Sequence, residues 1–343
     1  MTICSLSHAM CGSSSNALIR TPTFPEVLIG VHRRKGKRLT ASDQGTAGLY
    51  PVMVSSPASG GGVSNSVNFT VDNPVPTLSS LAPTSANAGA ASETLTLTGT
   101  KFVPISTVTY GGVAHAATFV SSTQLTITLS TSDLATAGTF AVVMTDPAPG
   151  GGKSNSVNFT VDNLVPTVSS LSPNSAMEGT AAQTLTINGT NFVSTSMVTY
   201  NGVAHTATFV SATELKITLS TADQAKAGTF AVVVTNAAPG GGASTPVDFT
   251  VNNPVPAITS LSPSSATKGA AAETLTITGT NFVSTSTVTF NAVLHTTTYL
   301  SATELKITLS TSDLGTAGTY PVVVTNPAPG GGASNAKNFI VYP

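Results

Sequence analysis

The chain has 343 residues, 40% of them apolar and only 8% charged, with a net charge of −1. Apolar residues this numerous and this regularly spaced argue against disorder, and no run approaches the ~18 consecutive apolar residues of a membrane helix. Trp is absent and only six Tyr occur, too few for the aromatic girdles of an outer-membrane barrel.

In chain order, residues 1–40 come first and differ from everything after them. They hold every arginine (Arg20, Arg33, Arg34 and Arg38) and both cysteines, Cys4 and Cys11. The head carries +5 and the remainder −6. It shows no alternation. MTICSLSHAMCGSSS lacks the basic start and continuous apolar core of a signal peptide. The head is therefore expected to be unstructured or anomalous, and the chain a fragment whose true upstream sequence was lost. VHRRKGKR, from Val31, is the one basic cluster. Residues 41–72 then supply two or three strands of a partial domain.

A repeat of 90 residues follows. NPVPTLSSLAPTSANAG begins at Asn73, NLVPTVSSLSPNSAMEG at Asn163 and NPVPAITSLSPSSATKG at Asn253. Asp43, Asp133, Asp223 and Asp313 keep the same step, as do the GGG runs from Gly60, Gly150, Gly240 and Gly330. This length is too great for a helical solenoid unit and suits one β-sandwich domain. The predicted units are 73–162, 163–252 and 253–343.

Within a unit, TLTLTGT from Thr94 puts Leu95 and Leu97 on one face and threonines on the other. STVTYGG gives a short strand through Val108 and Tyr110. LTITLS gathers Leu125, Ile127 and Leu129. TFAVVMT gathers Phe140, Val142 and Met144, and SVNFTV gathers Val157, Phe159 and Val161. Between them lie the turn signals APTSANAG, TSDLATAG and PAPGGGKSN. About seven strands with such punctuation predict an all-β chain of tandem immunoglobulin-like β-sandwiches, three complete and one partial. The expected core of the first complete unit is Leu95, Leu97, Ile127, Phe140, Val142 and Phe159.

LSSLAPTSANAG, LTLTGTKFV, VTYGGV and SNSVNFTV together resemble the IPT/TIG domain, an immunoglobulin-like fold. The G-T-N-F signature stands at Gly189–Phe192 and Gly279–Phe282, while the first unit has Lys101 in place of Asn. The resemblance covers 73–343 fully and 41–72 partly. Cysteine-free, Thr- and Ala-rich tandem copies resemble those of large bacterial surface or secreted proteins. Plexin-type receptors and DNA-binding transcription factors are the family's other settings.

No motif rises to a catalytic, cofactor or metal site. GGGKS at Gly150–Ser154 has Pro147 where a phosphate-binding loop needs Gly, and no helix follows. His115, His205 and His295 share one position. A catalytic triad would need a positioned carboxylate and an exposed nucleophile beside each, and zinc would need further ligands, so an edge-hairpin histidine is the expectation. Asp72 and Asp162 at the junctions could sit beside calcium, but Asn252 replaces them in the third, which favours a stiff proline junction. Asn68, Asn158 and Asn188 lie in N-x-T sequons, read as coincidence for a bacterial protein. The acidic repeats have the wrong sign for nucleic acid. The expected function is a non-catalytic structural or adhesive rod, extracellular or at the cell surface, with its partner unknown. The alternatives are a carbohydrate- or protein-binding module and the accessory domains of a larger enzyme. Tyr110, Tyr200 and Phe290 are expected to be half-buried.

Overall fold

A computed structural model describes residues 17–19, 27–29, 40, 42–54 and 61–343, the first two stretches by backbone alone. The readings placed on Cys4, Cys11, Arg20 and the VHRRKGKR cluster lie outside these residues. Ala17–Ile19 pairs antiparallel with Val27–Ile29. No α-helix is present among the described residues, and none of their helices is long and apolar enough to cross a membrane.

The unit from Asn73 to Asp162 carries ten strands. They are β1 (Thr77–Ala82), β2 (Ser85–Asn87), β3 (Glu93–Thr100), β4 (Thr107–Tyr110), β5 (Val113–His115), β6 (Ala117–Ser121), β7 (Gln124–Leu129), β8 (Gly138–Asp146), β9 (Gly152–Lys153) and β10 (Val157–Asp162). One sheet has the order β6-β7-β3-β1. The other runs β2-β10-β8-β4-β5, with β9 folded onto β8. Pairing is antiparallel except between β2 and β10. The same two sheets recur in 163–252 and in 253–343.

The Leu/Thr alternation explains the packing. Leu95 and Leu97 lie opposite Ile127 and Leu125 on the neighbouring strand, so one face of the first sheet is aliphatic. It meets Val142, Met144, Phe159 and Val161 from the second sheet, and all eight are buried. Burying each such side chain contributes about 1.5–3 kcal/mol. Three separate cores result, one in each unit.

Phe140 departs from expectation. It is only partly buried, against the edge of the core, because its ring lies over Gly111 and Gly138 at the end of the second sheet and stacks on Tyr110 at 4.9 Å. Leu134, hidden in the turn signal TSDLATAG, is fully buried instead.

The G-T-x-F signature has a steric cause. A Cβ on Gly99 would lie 2.0 Å from Thr77 O and 2.6 Å from the Phe102 ring, so strand and ring close together only over glycine. The next variable residue is left-handed, with φ of 64° at Lys101, 61° at Asn191 and 63° at Asn281. Asn tolerates that conformation better than Lys. Asn191 Nδ2 and Asn281 Nδ2 also donate to Val165 O and Val255 O, each at 2.9 Å.

Each unit begins with a clasp. Asn73 N donates to Pro149 O, Asn73 Nδ2 donates to Pro147 O at 2.7 Å, and Gly151 N donates back to Asn73 O. Asn163 and Asn253 repeat it on Ala237 and Pro327. Gly150 has φ +68°, and a Cβ there would lie 2.6 Å from Asn73 O. The glycine run is thus the seat for the unit's first residue.

In 42–71, Gly48–Val52 pairs with Val67–Val71, Gly48 opposite Val71. This matches Gly138 opposite Val161 in the complete unit. These two strands form a separate two-stranded sheet, and Phe69, whose counterpart Phe159 is fully buried, keeps some exposure.

Candidate functional site

A polar cluster that recurs in every unit lies where β5 meets the turn after β7. The short β5 ends at His115, and the turn brings Asp133 beside it. His115 Nε2 is 3.1 Å from Asp133 Oδ2, and His115 Nδ1 is 3.1 Å from Val113 O. Ser130 Oγ and the Ser130 backbone N–H both donate to Asp133 Oδ2, at 2.6 and 2.7 Å. Burial works against the Asp133 carboxylate, but the Ser130 bonds and then His115 outweigh it and hold the group below its usual 3.8. The third unit repeats the geometry, with His295 Nε2 at 3.2 Å from Asp313 Oδ2 and Ser310 on the same carboxylate. Asp313 is lowered in the same way.

The middle unit is looser. His205 Nε2 stands 3.6 Å from Asp223 Oδ1 and has no hydrogen-bond partner, although buried.

The histidines therefore do sit on edge-hairpin strands, and each has the carboxylate that a triad needs. The sequence reading missed that pairing. Its signal was the shared 90-residue step of Asp133 and His115. The arrangement lacks the geometry for nucleophilic catalysis. Both ring nitrogens of His115 and His295 face oxygen acceptors, and the serine is bonded to the carboxylate rather than to the imidazole.

Beneath the cluster, Tyr110 touches His115 edge-on at 5.8 Å. Burial, then Asp133 and Glu93, push its hydroxyl up to about 12. Burial and Asp223 do the same to Tyr200. Tyr110, Tyr200 and Phe290 are all buried rather than half-buried. They serve the core and offer no aromatic platform.

In the third unit the cluster opens onto a shallow depression of about 630 Å³. Its walls include Leu294, His295, Thr298, Lys306 and Asp313. Leu294 replaces the Ala114 and Ala204 of the other units and is largely exposed.

The other sequence candidates are placed as follows. Gly150–Ser154 forms the clasp and the start of β9, with positive φ at all three glycines. Among the described residues no group of three or more His, Cys, Asp or Glu side chains is arranged to hold a metal ion. Asn68 and Asn158 are exposed on strands, while Asn188 is half-buried with its amide on Ser170 Oγ.

The sequence profile of the IPT/TIG domain matches residues 76–161, 166–251 and 256–341. The chain therefore belongs to the IPT/TIG family, whose immunoglobulin-like domains are typically non-catalytic. No curated protein sequence matches it. Among solved structures it is similar to the ICAM-5 D1–D4 ectodomain fragment, at 14% identity and a TM-score of 0.39, covering 85% of this chain and 83% of that one. It is also similar to a structure solved with xylogluco-oligosaccharide, at 18% identity and a TM-score of 0.33, covering 78% and 60%. A third is the plexin A4 extracellular region, at 12% identity and a TM-score of 0.25, covering 88% and 41%. The chain spans less than two thirds of the length of the last two.

Proposed function

We propose that this chain is a non-catalytic spacer or adhesive module of an extracellular or cell-surface protein. The observation that carries this reading is the repetition itself. Three units in one 90-residue register each close their own core and their own clasp, and the recurrent His–Asp cluster is internally satisfied in two of them. Such units add length without adding chemistry. The sparse charge and the Thr-rich outer faces suit a surface that meets solvent and few partners.

A second reading, a module binding carbohydrate or a protein ligand, is favoured by the depression beside His295. Only there does an exposed Leu294 adjoin the histidine, a lysine and several hydroxyls.

One pair of measurements on the whole chain separates these readings. Small-angle scattering should give an extended monomer, and a glycan array should retain nothing. Saturable glycan binding that disappears in Leu294→Ala would replace the first reading with the second. A compact particle would remove the spacer role.

A further inference from the structure

One buried group is used by neither reading. At the end of β8, Asp146 is 2% exposed. Ser106 Oγ donates to its Oδ1, while its Oδ2 is buried with no hydrogen-bond partner. The other two units carry Asn236 and Asn326 at this position, equally buried. Their Oδ1 atoms accept from Ser196 and Ser286 in the same way. Their amide nitrogens donate to two backbone carbonyls, Leu164 O and Asn191 O in one unit and Pro254 O and Asn281 O in the other, at 2.7–2.9 Å. The place is built for a donor. An ionised carboxylate has none to offer and would face carbonyl oxygens with a buried, unpaired charge.

We propose that Asp146 holds a proton in the folded first unit, standing in for the missing amide, and that the first unit therefore responds to pH at a position where the other two units do not. The flanking charged residues are Lys101, Lys153 and Asp72, all exposed, and no ion pair joins any of them to Asp146 among the described residues. No cation is at hand to stabilise the charged form. Burial, opposed by the Ser106 bond, accordingly raises the carboxyl above its ordinary 3.8.

The direction follows from linkage. With the folded value above the unfolded one, the contribution to stability is complete below about 3.8 and is lost as pH rises through the folded value. Asp133 in the same unit acts with the opposite sign. Its lowered carboxyl contributes above 3.8, and the contribution is lost as pH falls through the folded value.

Two measurements on the intact chain test this. Aspartate-selective carboxyl NMR, with the Asp146 signal assigned by its loss in Asp146→Asn, should show that carboxyl still protonated at pH values where exposed aspartates have ionised. Hydrogen exchange of 138–146, taken relative to 318–326 at each pH, should show protection falling as pH rises. Asp146→Asn should remove that fall. Asn236→Asp should transfer it to 228–236, which keeps the test open even if the first variant misfolds. A carboxyl that titrates with the exposed aspartates, or relative protection independent of pH, overturns the proposal.

Discussion

The middle unit and its two neighbours share one fold and solve the same packing problem differently. In 73–162 and 253–343 the turn after the seventh strand drops Leu134 or Leu314 into the core. In 163–252 the position is Gln224, fully buried. Its amide donates to Ser220 O and Ala181 O, and its oxygen accepts from Gln183. Gln183 in turn replaces Glu93 and Glu273, each of which keeps a buried oxygen with no hydrogen-bond partner. A buried polar residue is thus accepted where a second change answers its hydrogen bonds. A second difference lies on the first strand. Asn155 pairs through both amide atoms with the backbone of Leu78, and Asn335 does so with Ile258. Thr245 stands there in the middle unit.

The comparison can be broken most strongly at the turn. Leu134→Ala should cost the first unit about 2–5 kcal/mol, as cavity-forming changes do, with the neighbouring units unaffected. Urea unfolding of the chain followed by segment-resolved hydrogen exchange would show it, and loss of all three units together would mean that their cores are coupled. Next comes Gln224→Leu, which gives the middle unit its neighbours' residue but leaves Gln183 without its acceptor. We expect a net loss of about 1–3 kcal/mol, because the Gln183 amide loses its acceptor. If Gln224→Leu alone were stabilising, the paired-change explanation would fail. The smallest effect is a gain. Thr245→Asn should restore the strand contact and raise the middle unit's stability by about 1 kcal/mol, read as a small rise in its melting temperature.

Much of the fold was legible because period-2 alternation is a direct projection of a sheet with one buried face. Leu95, Leu97, Ile127, Val142 and Phe159 were found this way. The same alternation placed Phe140 in the core, but it packs only against the core's edge, since alternation assigns a face but does not say where the sandwich ends. Leu134 escaped for the opposite reason. It sits among Ser, Asp, Ala and Gly, and only the tertiary path of the turn carries it inward. The His115–Asp133 pair was hidden because His115 ends a short edge strand and Asp133 lies in a turn, and the two meet only in the folded unit. Their common 90-residue step showed that both recur but not that they touch. The significance of Asp146 was invisible for a simpler reason: the need for a donor there is set by backbone carbonyls, which no residue name records.

The clasp at Asn73, Asn163 and Asn253 bears on how such a chain can change over generations. Both halves of each clasp lie within one 90-residue segment. Recombination between equivalent points of two copies therefore deletes or inserts a whole segment and leaves every remaining clasp with an equivalent partner loop. Copy number can therefore change without any clasp being broken.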